Sequence, residues 1–197
     1  AGNLQAACAA MLTWVLYVGI YTPLKRVTPL NTAVGAVAGA LPIAIGWFAA
    51  DGPQQVLAGD ISAALAVASL GTVLYLWQFP HFMAIAWLYR KQYDLADLKM
   101  LTVTDPSGLR AAGQSLAAAL AMIPVSLAMA VPSGSIRMFL TAALASTVYV
   151  LVSVNFAFRR DDRSARILLF TSLGVLLILM MSAVAFSAPK VLSGSYL

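Results

Sequence analysis

Charged residues punctuate this chain so sparsely that six long apolar runs stand between them. They cover Ala1 to Leu24, Val27 to Ala50, Ile61 to Tyr89, Ala111 to Ile136, Met138 to Phe158 and Ile167 to Pro189. Each is long enough for a helix of about 20 residues, which crosses a hydrocarbon core of roughly 30 Å. None alternates polar and apolar positions as a barrel strand does. The pattern predicts an all-α membrane protein of six transmembrane helices, forming a single domain over residues 1–197.

Composition agrees. Of 197 residues, 61% are hydrophobic and 10% charged, against about 25% charged in soluble domains. The lone Cys8 excludes an internal disulfide. The start lacks the basic region of a signal peptide and opens on Ala1 rather than Met, so a piece of a longer chain is expected. The net charge of +5 does not point to nucleic acid, because its distribution has another cause. One set of loops holds Lys25, Arg26, Arg90, Lys91, Lys99, Arg110, Arg159, Arg160, Arg163 and Arg166; the other holds Arg137 and Lys190. By the positive-inside rule the first set faces the cytoplasm, or the matrix of an organelle, with both termini opposite. Asp94, Asp97, Asp105, Asp161 and Asp162 share that face, so polar chemistry is expected there.

Pro23 and Pro29 stop one helix and start the next. Gly35-x-x-x-Gly39 reads as a close helix contact rather than a ligand site. The third run ends in Trp77-Gln78-Phe79-Pro80-His81-Phe82. Pro80 is expected to kink the helix and free a carbonyl one turn earlier. His81 is the only histidine. An ionisable ring in a span is a functional-site hypothesis by default; a helix-end histidine bonded to a backbone carbonyl is the structural alternative. Trp77, Phe79, Phe82, Trp87 and Tyr89 read as membrane-interface aromatics, with faces suited to a cation. In the following loop, Asp94 and Asp97 are three apart, which on a helical turn places both carboxylates on one face. Such a pair suits Mg²⁺ bound together with a phosphate. Lys25, Arg26, Arg90, Lys91 and Lys99 are placed to neutralise a diphosphate. An ordinary solvated loop accounts for the same residues. Asn155 is the notable polar residue of the last three runs.

Three segments together are more specific than any alone: Tyr21-Thr22-Pro23-Leu24-Lys25-Arg26-x-Thr28-Pro29-x-Asn31-Thr32, Gly35-x-x-x-Gly39-Ala40-x-Pro42, and Trp77-Gln78-x-Pro80-His81-Phe82. In this order they resemble the heme O synthases (protoheme IX farnesyltransferases) of the UbiA superfamily of intramembrane prenyltransferases. The resemblance covers essentially the whole chain and implies that the six spans correspond to helices four to nine of a nine-helix bundle. It implies transfer of a farnesyl group from farnesyl diphosphate to a vinyl group of heme B, giving heme O for terminal oxidases. Mg²⁺ would act with the diphosphate, and a heme A synthase or terminal oxidase would lie downstream.

By resemblance, His81 contacts the heme, as an axial ligand or as a proton-handling group near the vinyl. Lys25, Arg26 and Arg90 bind diphosphate or heme propionates, and Tyr93, Asp94 and Asp97 organise Mg²⁺. Asn31, Trp77, Gln78, Lys99 and Asn155 join the substrate-binding set. The setting implied is a bacterial inner membrane or a mitochondrial inner membrane. Two departures stand out. The superfamily's first acidic motif, Asn-x-x-x-Asp-x-x-x-Asp, is absent, so the chain alone is expected to be inactive. Around Tyr93, Gln92 stands where relatives carry an acid, and Asp97 where they carry glycine. A UbiA-type enzyme with a quinone-precursor acceptor would share the loops but not the His81 segment. A transporter or non-enzymatic subunit would show inverted-repeat symmetry.

Overall fold

The computed structural model describes residues 3–186. Six of its helices are long and apolar enough to cross a membrane: α1 (Leu4–Leu24), α2 (Asn31–Ala49), α4 (Ile61–Leu88), α7 (Leu109–Ala130, extended by a 3₁₀ turn over Val131–Ser133), α8 (Ile136–Arg159) and α9 (Asp162–Phe186). Short helices α3 (Gly52–Leu57), α5 (Arg90–Leu95) and α6 (Leu101–Thr104) lie in the connections. The six expected spans are all present. Pro189 and Lys190 lie outside the described residues.

Helix α9 begins five residues before its apolar run because its start is capped. The Ser164 N–H donates to the Asp161 carboxylate at 2.7 Å, and Asp162 occupies the first turn, where the helix dipole favours an anion. Helix α1 departs from α geometry over Val15–Tyr21, which is a π-helix. Pro23 cannot donate to the preceding turn. Just before it, the Thr22 N–H reaches back five residues to the Tyr17 carbonyl, which also accepts the Thr22 hydroxyl at 2.8 Å.

Helices α4, α7, α8 and α9 pack in a closed ring, each against the next; α2 packs on α4 from outside, and α1 on α2. Lipid supplies no hydrophobic drive between helices, so small residues at the contacts do that work by permitting close approach. Ala84, Ala86, Ala111, Ala119, Ala142 and Ala165 have no exposed surface. The buried serines satisfy themselves: Ser115, Ser146 and Ser153 donate to the carbonyls of Ala111, Ala142 and Tyr149 one turn earlier. Leu140, Leu151, Leu173 and Leu177 project outward, as lipid-facing positions should.

Helix α4 continues on both sides of Pro80, and one expectation about its aromatics changes. In the turn before Pro80, the Trp77 carbonyl accepts the Tyr149 hydroxyl of α8 at 2.7 Å; the carbonyl that Pro80 leaves without a helical donor is that of Leu76. Trp77, Phe79 and Trp87 are buried core residues rather than interface aromatics; Tyr89 is exposed. The difference arises because α4 has neighbours on several sides, namely α2, α7 and α9.

Two of the glycines of α2, Gly35 and Gly39, admit specific side chains. A Cβ at Gly35 would meet the Tyr21 ring at 2.7 Å, and one at Gly39 would meet Gln78 Oε1 at 2.2 Å. Gln78 cannot yield easily, because its Nε2 donates to the carbonyls of Ala36 and Leu74, each at 3.0 Å. Gly39→Ala should therefore cost about 1–3 kcal/mol through overpacking. Unfolding in mild detergent checks this, and Gln78→Ala in the same chain should recover part of the loss.

Candidate functional site

Helix α4 carries His81 seven residues before its end at Leu88, roughly 10 Å along the axis at 1.5 Å per residue. The residue lies deeper than the helix-end position its sequence context suggested. Its ring stacks on Trp77, with centroids 4.7 Å apart and planes inclined by 25°. Both side chains reach the same residue of α9. The Trp77 indole N–H donates to the Ser172 carbonyl at 2.6 Å, and His81 Nδ1 lies 2.8 Å from the Ser172 hydroxyl oxygen.

The same hydroxyl lies 2.5 Å from the Leu169 carbonyl. With its hydrogen on that carbonyl, Nδ1 is the donor toward Oγ and the Nε2 lone pair is free in the neutral ring. No described residue hydrogen-bonds Nε2. A half-buried imidazole with an oriented Nδ1–H and an open Nε2 can ligate a metal or accept a proton.

A second cluster forms where the α1–α2 turn meets the loop after α5. The Lys99 N–H donates to the Lys25 carbonyl at 2.7 Å. Asn31 clamps the same junction, donating to the carbonyls of Thr28 at 2.7 Å and Lys99 at 3.3 Å. Lys25 Nζ sits 4.2 Å over the Tyr21 ring. Tyr93, half-buried beside Tyr21 and Tyr89, has its phenol pushed up by burial first and by those two tyrosines next. Asp97 pairs with Lys99 at 2.6 Å and feels the charge of Arg26. Lys25, Arg26, Tyr93, Asp97 and Lys99 are thus brought together.

Other expected site residues are placed differently. Asn31, Trp77 and Gln78 are buried and bonded to backbone carbonyls, so each holds a neighbouring segment in place. Arg90 bridges helices: it donates to the Trp87 carbonyl at 2.5 Å and to Asp162 at 2.9 Å, and lies 4.6 Å over the Trp87 ring. Asn155 lies apart, in a small cleft with Arg159, Arg163, Ser164 and Ile167. Asp94 and Asp97 do not share a helical face. Asp94 is inside α5, whereas Asp97 lies beyond its end with φ 52°, in the left-handed region. Among the described residues no three His, Cys, Asp or Glu side chains converge. With Asp97 committed to Lys99, this pair alone does not fit a Mg²⁺ ion.

Ser172 and Tyr149 escaped the sequence reading. Their contacts to α4 span 91 and 72 positions, and a serine or tyrosine in an apolar run carries no local signal of them.

The model of the UbiA prenyltransferase family matches residues 1–178. The chain belongs to the UbiA prenyltransferase family. It is 42% identical over 185 residues to the protoheme IX farnesyltransferase of Rhodopirellula baltica, covering 89% of this chain and 61% of that one. Identity to the protoheme IX farnesyltransferase of Solibacter usitatus is 40% over 171 residues, covering 86% and 56%. For the human mitochondrial protoheme IX farnesyltransferase it is 38% over 176 residues, covering 89% and 37%. The chain therefore spans about 61% or less of the length of these UbiA relatives. No solved structure matches it.

The exposed carboxylates give this face an acid-labile component. Asp97 is held below the ordinary aspartate value of 3.8 first by the Lys99 hydrogen bond. Asp105 is held down first by the Ser107 hydroxyl, and Asp161 by the Ser164 N–H. A depressed carboxyl contributes stability above its unfolded pKa and loses it as pH falls through the folded one. The melting temperature should therefore drop on acidification below about pH 4, and Asp105→Asn together with Asp161→Asn should shallow that drop. An unchanged pH profile in the double variant contradicts the assignment.

Proposed function

We propose that this chain carries the acceptor-binding part of a protoheme IX farnesyltransferase, its six spans corresponding to helices four to nine of a nine-helix enzyme. The substrates are farnesyl diphosphate and heme B, and the product is heme O, taken up downstream by a heme A synthase or terminal oxidase. The charged loops face the cytoplasm or matrix. The observation that carries the reading is the open Nε2 of His81, fixed by Ser172 about two turns from the end of α4. The printed names of the relatives support the choice of acceptor.

In this reading the electron-rich vinyl group of heme forms a bond to C1 of the farnesyl chain as the bond from C1 to diphosphate oxygen breaks. Lys25, Arg26 and Lys99 stabilise the negative charge that develops on the departing diphosphate, a preorganised electrostatic contribution. Water adds to the resulting carbocation next to the porphyrin and gives up a proton. Nε2 of His81 meets the heme either as an axial ligand of the substrate iron or as the acceptor of that proton. Arg90, already paired with Asp162, holds the ends of α4 and α9 together. The Mg²⁺ of the family chemistry requires donors besides Asp94 and Asp97.

In membranes containing the complete enzyme, His81→Ala should reduce heme O formation by about 10²–10⁴-fold, the range for loss of a positioned acid–base group, with insertion unchanged. Ser172→Ala should lose about 10–100-fold, as for other residues that orient a ligating histidine. Heme O at wild-type level in His81→Ala would overturn the role of His81. Prenylation of an aromatic acid but not of heme B would overturn the choice of acceptor.

A further inference from the structure

The outward seam between α8 and α9 holds two cavities that play no part in the chemistry above. At the charged end a cleft of about 180 Å³ brings together Asn155, Arg159 and Arg163. Deeper along the same helices, an apolar slot of about 290 Å³ runs between Leu144 and Val148 of α8 and Gly174 and Ile178 of α9. Roughly nine residues separate the two along α9, or about 14 Å at 1.5 Å per residue. That is close to half of a hydrocarbon core of roughly 30 Å. A cationic cleft at the boundary above an apolar slot near mid-bilayer matches a lipid, with a phosphate at one end and a chain at the other.

The head cleft retains free binding capacity. Asn155 has no hydrogen-bond partner among the described residues. Neither Arg159 nor Arg163 makes a close ion pair among the described residues: Asp162 pairs with Arg90, and Asp161, whose carboxyl both arginine charges help to hold down, accepts from the Ser164 N–H. Two guanidinium forks and an amide suit phosphate oxygens. The slot opens to the bilayer, with Leu144 69% and Ile178 50% exposed. A Cβ at Gly174 would meet nothing within 4 Å, so open space lies beside the helix at that point.

We propose that the α8–α9 seam binds an anionic phospholipid, its phosphate on Arg159, Arg163 and the Asn155 amide and one acyl chain in the slot beside Gly174. A phospholipid fits better than a prenyl diphosphate. Among the described residues the cleft offers no carboxylate cluster for the divalent cation that accompanies a diphosphate. A partner protein's apolar helix would bring the two arginines no anion beyond Asp161, which already accepts the Ser164 N–H at the start of α9.

Native mass spectrometry of the detergent-extracted protein, titrated with phosphatidylglycerol or phosphatidylcholine, tests this. At about 1 kcal/mol per arginine near an anionic surface, Arg159→Gln with Arg163→Gln should weaken phosphatidylglycerol retention about 30-fold. Phosphatidylcholine retention should hardly change. The charge-matched pair Lys91→Gln with Arg166→Gln, outside the cleft, should retain the lipid. Gly174→Leu, whose Cβ has nothing within 4 Å and whose side chain occupies the slot, should lower retention while leaving the melting temperature of the lipid-free protein unchanged or higher. Equal retention by both charge pairs overturns the site. Displacement of the lipid by farnesyl diphosphate at one-to-one stoichiometry assigns the seam to the substrate and overturns the phospholipid.

Discussion

Everything in the proposed acceptor site depends on one residue of α9 meeting α4 twice. Ser172 offers its carbonyl to the Trp77 indole and its hydroxyl oxygen to the His81 ring. In a bilayer interior an unmatched polar group costs several kcal/mol. A small rotation or slide of α9 against α4 would break both contacts together. The pair therefore fixes the register of two long helices and the orientation of the imidazole with the same atoms. Tyr149 adds a third tie from α8 to the Trp77 carbonyl, and Gln78 a fourth to α2. The single histidine sits at the best-anchored point of α4, so its reactive nitrogen is held with little freedom to turn.

The charged face is built on a different principle. Its ties are main-chain hydrogen bonds and exposed ion pairs, Lys99 to the Lys25 carbonyl and Lys99 to Asp97. Exposed pairs contribute at most about 1 kcal/mol each and weaken with salt. Rigid positioning deep in the bundle and an adaptable cationic rim at its end suit a substrate with a flat apolar body and charged edges.

Spans were legible in the sequence because hydropathy reports the environment of a whole helix. Gaps of more than twenty uncharged residues located α1, α2, α4, α7, α8 and α9, and the Gly35 and Gly39 spacing gave a close contact that the structure fills with Tyr21 and Gln78. Details that depend on which face of a helix meets a neighbour were not legible. Trp77, Phe79 and Trp87 resemble interface aromatics until the neighbours of α4 are known. The spacing of Asp94 and Asp97 implied a shared face only if one helix spanned both, and the left-handed backbone at Asp97 ends that helix between them. His81 was visible as chemistry, but its hydrogen-bond partner Ser172 lies far away in sequence.

The π-helical segment of α1 has a consequence for how this bundle tolerates change. A π turn accommodates one residue more than the α turn it replaces, and each α-helical residue advances the chain by about 100° around the axis. Val15–Tyr21 therefore behaves as a phase shifter between two registers of a single span. Residues before it keep one angular frame against α2, while Tyr21 and Lys25 follow another. Only in the second frame does the Tyr21 ring cover Gly35 and support the Lys25 ammonium. Removing one residue there would restore an ordinary α turn and keep Tyr21 and Lys25 in their frame. The same deletion in the α-helical part of the span would swing the first cation of the charged face about a quarter turn out of place.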